Sequence, residues 1–116
     1  MPRIRGLSRR THEAIWLLEE RESRFHTASR LRTYQSALAE PGGLPLSPSP
    51  CPCCDPLEAR DELEQVLRQL PPFSRAEFAR LLAPLDDRLR SKTVPYPWPE
   101  RRPWATAWWQ LLWQEP

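Results

Sequence analysis

The sequence is poor in glycine, with three residues in 116. That scarcity argues against the glycine-rich turns in which backbone amides cradle phosphates. Lysine is scarcer still: all but one of the 17 basic residues are arginine, the exception being Lys92. A bias this uniform along the chain is what a GC-rich genome imposes, so it does not by itself mark a binding site. No apolar run approaches the roughly 18 residues of a spanning helix, and the arginine-bearing start lacks the continuous apolar stretch of a secretory signal. A cytoplasmic protein is therefore expected. The three cysteines would leave at least one unpaired in any disulfide framework. HExxH, a glycine-rich phosphate loop and a local serine, histidine and acid arrangement are all missing.

Proline is abundant, with 15 residues. It concentrates at 41–56 and 91–103, where it punctuates helices. The length suits one domain. The expected fold is all-α: a small bundle with a long N-terminal helix, a central helical hairpin and a short tryptophan-rich C-terminal helix.

Helical periodicity carries that expectation. Thr11 can cap a helix reaching about Ala39, in which Ala14, Leu18, Phe25, Ala28, Leu31 and Leu38 recur at helical spacing and Ile15, Leu17 and Tyr34 widen the stripe. Polar residues at Arg21–Arg24 interrupt the stripe, as a wet middle or a bend would. Asp55, Pro56 and Glu58 form a complete start signal for a helix carrying Leu63, Val66, Leu67 and Leu70, which Pro71 and Pro72 stop. Ser74 with Glu77 reads as a second capping box, and Phe73 with Phe78 as its hydrophobic staple. Phe78, Leu81, Leu82, Leu85 and Leu89 continue the stripe, with a kink or break expected at Pro84. A last helix is expected from Pro103 or Trp104 to about Gln114.

Charge is uneven. Residues 1–32 hold eight arginines and four glutamates, while residues 55–64 hold five acids and one arginine. Such polarity either orients a partner or joins one part of the fold to another. Asp86–Asp87 or Asp61–Glu62–Glu64 invite a catalytic reading, but neighbours one residue apart point in different directions, and the spacings of three or four that share a face are met by Glu58, Asp61 and Glu62. Acids in a first turn are already what the helix dipole favours, so a structural role is the simpler expectation.

Three features could carry function. Five of the six tryptophans lie within residues 98–113. Aromatic anchors of this kind complete a core or dock a protein. Trp104, Trp108, Trp109 and Trp113 are the candidate protein-binding residues, with Trp109 or Trp113 left over from the core, and Arg101 and Arg102 adjust orientation. The partner is another protein or a second copy; a lipid surface is disfavoured because this helix has few charges on its opposite face. Second, Arg3, Arg5, Arg9 and Arg10 form a basic arm that could contact nucleic-acid phosphates. Third, Cys51, Cys53 and Cys54 could hold a structural zinc ion with His12 or His26 as fourth ligand, although adjacent cysteines do not converge easily and the spacing is not that of a zinc site. The two histidines lie too far apart on one straight helix to share an ion. The leading expectation is a non-enzymatic helical protein that binds another protein or self-associates, with a nucleic-acid-associated regulator as the alternative; no small-molecule substrate or other cofactor is indicated.

The stretch Leu81–Leu82–Ala83–Pro84–Leu85–Asp86–Asp87–Arg88, followed by Ser91–Lys92–Thr93–Val94–Pro95, resembles a segment of small uncharacterised proteins from GC-rich actinobacteria or their phages. It covers under a fifth of the chain. The resemblance implies a bacterial or phage origin and transfers no activity or site residue.

Overall fold

A computed structural model describes residues 3–39 and 55–113. The chain is mostly helical, a small all-α bundle. Its elements are α1 (Arg9–Arg21), α2 (Thr27–Ala39), α3 (Pro56–Gln69) and α4 (Pro72–Ser91), then β1 (Val94–Pro95), short 3-10 turns at Pro99–Arg101 and Trp108–Leu111, and β2 (Leu112–Trp113). No helix among the described residues is long and apolar enough to cross a membrane.

The expected long first helix is two helices. Ser8, not Thr11, is the N-cap of α1, its hydroxyl accepting from the Thr11 amide at 3.3 Å. Thr11 itself is fully buried. The chain leaves the helix at Glu22, which is extended, and re-enters at Thr27. Amides at the start of α2 find carboxylates from elsewhere: Thr27 N–H donates to Glu19 Oε2 at 2.8 Å, and His26 N–H donates to Glu62 Oε2 at 3.0 Å. Negative charge there also suits the positive helix end. Breaking the rod lets α2 pack chiefly along α3 while α1 leans on α4. Ile15, Leu18, Phe25, Leu31, Tyr34 and Leu38 all reach the core, whereas Leu17, expected to widen the apolar face, is 61% exposed.

The central hairpin forms as its sequence predicts. Asp55 Oδ1 accepts from the Leu57 amide at 2.9 Å and Pro56 opens α3. Leu63 and Val66 of α3 and Leu70 at its C-cap join Phe78, Leu82 and Leu89 of α4 in one buried cluster. Each such side chain contributes roughly 1.5–3 kcal/mol by leaving water. The turn is tighter than expected because Pro72 itself opens α4, as proline suits a first helical position. Arg75 closes it, donating from Nη2 to the carbonyls of Arg68 and Leu70 at 3.2 and 3.1 Å.

This early start displaces the second capping box and its staple. Ser74 lies buried inside the helix, Phe73 is 45% exposed under the Arg10 guanidinium, and Glu77 serves the N-terminal arm. Pro84 does not end α4, which continues to Ser91. Pro84 and Arg80 are both exposed, so the carbonyl that loses its donor lies on the wet side of the helix.

The expected C-terminal helix is replaced by a loop closed on itself. β1 and β2 pair antiparallel, Val94 opposite Trp113 and Pro95 opposite Leu112, and Tyr96 N–H donates to the Leu111 carbonyl at 2.8 Å. Arg102 Nη1 reaches across to the carbonyls of Gln110 and Leu112 at 2.9 and 3.1 Å. Gln110 Oε1 accepts from the amides of Thr106 and Ala107. These side chains satisfy backbone groups that a helix would otherwise have paired internally, and the prolines at 95, 97, 99 and 103 remove four amide donors from the same stretch.

Candidate functional site

The C-terminal loop is bound to the bundle through a polar centre built from four parts of the chain. Arg60 of α3 is 4% exposed. Its Nε and Nη2 donate to Asp86 Oδ1 and Oδ2 of α4 at 2.9 and 3.0 Å, a two-pronged pair, and its Nη1 donates to Glu64 at 3.1 Å. Tyr34 of α2 donates its hydroxyl to Asp86 Oδ1 at 2.7 Å. The indole of Trp109 lies against Arg60, 4.2 Å from guanidinium carbon to ring centroid. Next to it, Asp61 Oδ1 accepts from Trp109 Nε1 at 2.6 Å and from Gln110 Nε2 at 3.0 Å.

The electrostatics agree with that geometry. Burial by itself disfavours the Arg60 charge, but Asp86 and then Glu64 outweigh it and hold the guanidinium above its ordinary value. Burial, followed by the hydrogen bond to Asp86, keeps the Tyr34 phenol protonated far above the usual tyrosine range. Asp86 spends both oxygens on this network and is 9% exposed. Its two oxygens provide the buried arginine with the paired charge that burial requires.

The tryptophans divide into two kinds. Trp109, one of the two tryptophans expected to be left over from the core, is 4% exposed and belongs to the core cluster. Trp108 is partly buried, edge-on to Trp109 with centroids 5.6 Å apart, and the Arg90 guanidinium lies over its ring at 3.8 Å. Trp104 is 62% exposed and Trp98 is 40% exposed. Trp98 stands edge-on to Tyr96 at 5.9 Å, with Arg101 over its ring at 5.0 Å. The backbone of Trp113 lies in β2; its side chain is outside the described residues. Arg102, expected at the rim, is a structural brace, stacked on Tyr96 at 3.7 Å while bonding two carbonyls.

Trp98 was missed in the sequence because it precedes the expected helix; its place in a proline-flanked stretch was the available signal.

The basic arm is likewise divided. Arg9 pairs with Glu13 at 3.2 Å and Arg10 stacks on Phe73 at 4.5 Å. Arg3 and Arg5 are exposed, on an arm anchored by buried Ile4 and Leu7. The arm is strapped down twice: Ser8 N–H donates to Glu77 Oε1 at 2.6 Å, and Ile4 N–H donates to His12 Nε2 at 2.9 Å. His12 Nδ1 faces the Ser8 carbonyl at 2.9 Å, which fixes the tautomer with the proton on Nδ1. Both ring nitrogens of His12 are thus occupied. Cys51, Cys53 and Cys54 lie outside the described residues, and among the described residues no group of three or more histidines, cysteines or acids is placed to hold a metal. The acidic stretch joins parts of the fold: besides its Asp61 latch, Glu62 pairs with Arg30 of α2 at 3.3 Å.

Compared with protein-family models, curated proteins and solved structures, the chain matches none of them.

Proposed function

We propose that this is a non-enzymatic binding protein whose C-terminal loop presents an aromatic surface to another protein, a second copy of the chain included. The observation that carries the reading is the contrast within one loop. Trp109 is sunk into the core and bonded to Asp61, while Trp104 and Trp98 stand 62% and 40% exposed on the same braced segment. A large aromatic held out by a fixed backbone loses little freedom on docking, and such residues dominate interface energies. Arg101, packed on Trp98, supplies a charged rim. A cytoplasmic setting belongs to the same reading, since an odd number of cysteines suits a reducing compartment.

A photo-crosslinking amino acid at position 104 tests this. The reading expects a discrete protein adduct, with the identified partner or the purified chain itself then binding wild type and losing at least about tenfold in affinity to Trp104→Ala. An adduct whose purified component binds Trp104→Ala and Trp98→Ala as tightly as wild type would refute it.

A further inference from the structure

The N-terminal arm and α2 enclose a cleft of about 200 Å³ whose described lining comprises Arg3, Ile4, Arg5, Ala28, Leu31, Arg32 and Gln35. We propose that this cleft binds a phosphate group, held by Arg3, Arg5 and Arg32 with Gln35 as an additional donor. The inference is independent of the tryptophan surface.

Charge is the first support. Among the described residues, none of those lining the cleft is acidic. Several arginines elsewhere are engaged, Arg9 on Glu13, Arg30 on Glu62, Arg60 on Asp86, Arg68 on Glu64 and Arg90 on Asp87, and those without an ion pair to a described carboxylate, such as Arg21, Arg80 and Arg88, do not line this cleft. Arg3, Arg5 and Arg32 form no ion pair with a described carboxylate. Three like charges thus border one concave place, and an anion with several oxygens is the ligand that complements them. Guanidinium forks match phosphate oxygens two at a time, so three of them suit phosphate better than a single carboxylate.

Pre-organisation is the second. Ile4, between the two arm arginines, is buried and its amide is tied to His12. Gly6 then turns the chain with φ of +94°, a left-handed conformation that glycine adopts freely, bringing Leu7 and Ser8 down onto the bundle. Arg32 and Gln35, three residues apart on α2, share a helix face. Arg3 also borders two neighbouring hollows of about 380 and 400 Å³, one with Leu7, Arg9 and His12 and the other with Arg5, Gly6 and Leu7. Space is therefore available for what the phosphate is attached to.

The phosphate could belong to a small molecule or to a nucleic-acid strand. Two probes separate them: inorganic pyrophosphate, followed by calorimetry, and fluorescein-labelled oligothymidylate, followed by anisotropy, each with the full-length chain at low and physiological salt. At least one probe is expected to bind. Arg5→Ala and Arg32→Ala should each weaken it roughly tenfold, with circular dichroism confirming the fold, while Arg88→Ala on α4 should leave it unchanged. Should Arg32→Ala fail to fold, Arg32→Gln replaces it. Displacement of the oligonucleotide by pyrophosphate, or pyrophosphate binding alone, identifies a free phosphate as the ligand. Oligonucleotide binding that falls steeply with salt and resists pyrophosphate identifies strand phosphates. Failure of both probes to bind overturns the proposal, as does equal binding by the wild type and the folded cleft variants, or an equal loss in Arg88→Ala.

Discussion

The two irregular ends of the described chain are fixed to the bundle in different ways. The N-terminal arm buries Ile4 and Leu7 and is held by two side-chain acceptors, His12 and Glu77, that receive single amides. The C-terminal loop buries Trp109 against a charged arginine and is tied by Asp61, Gln110 and Arg102 into one connected network. The arm can be loosened one strap at a time. In the loop, the failure of one member exposes the others, because buried polar groups left without partners are costly. The loop is thus held as one unit and the arm by separate straps.

The largest effect that sharpens this comparison is expected at Asp86. Asp86→Ala leaves the Arg60 charge and the Tyr34 hydroxyl buried without their common acceptor, and should cost about 3–5 kcal/mol in urea denaturation. A loss under 1 kcal/mol would mean the centre is not a connected network. Asp61→Ala should cost less, about 1–3 kcal/mol, since the Trp109 indole N–H and the Gln110 amide lose their acceptor while the ring can keep its packing. Fluorescence of the loop tryptophans should change in the same variant.

At the arm, His12→Ala removes one amide acceptor and should cost about 1 kcal/mol. Its clearer readout is limited trypsin digestion, where cleavage after Arg5 should accelerate while cleavage after Arg60 remains slow. Equal rates in the variant and the wild type would show that His12 does not hold the arm.

The smallest effect concerns pH. The Ser8 amide holds the Glu77 carboxyl below the ordinary glutamate range. A depressed folded value means that this contribution is fully present above the unfolded value, near 4.3, and is lost as pH falls through the lower folded value. The difference in urea midpoint between wild type and Glu77→Gln should therefore narrow on going from neutral to strongly acidic solution. A constant difference would exclude a charge-dependent strap.

Legibility in the sequence followed the range of the interactions. α3 was readable because its start signal, Asp55 and Pro56, and its stop signal, Pro71 and Pro72, are local. The alternation of Leu63, Val66, Leu70, Phe78, Leu82 and Leu89 gave the hairpin core for the same reason. The break between α1 and α2 was visible only as a polar interruption, since the groups that complete it include Glu62, 36 residues beyond His26. The C-terminal helix was expected from tryptophan and leucine spacing. Its replacement depends on Arg102 bridging eight and ten residues and on Asp61 reaching residues 48 and 49 positions away. At the candidate surface, Trp109 or Trp113 was expected to be left over from the core, whereas Trp109 is buried and Trp104 is the exposed one; the partners that decide this, Asp61 for Trp109 and the Gln110 and Leu112 carbonyls for Arg102, lie beyond the reach of local spacing. Arg32 had no local feature separating it from the other arginines; the fold places it opposite Arg3 and Arg5.

The division between core and surface tryptophans is tested most directly by urea denaturation of Trp109→Ala beside Trp104→Ala. Trp109→Ala should lose about 3–5 kcal/mol, and Trp104→Ala should remain within about 0.5 kcal/mol of wild type. Equal losses, or a larger loss at Trp104, would contradict the account.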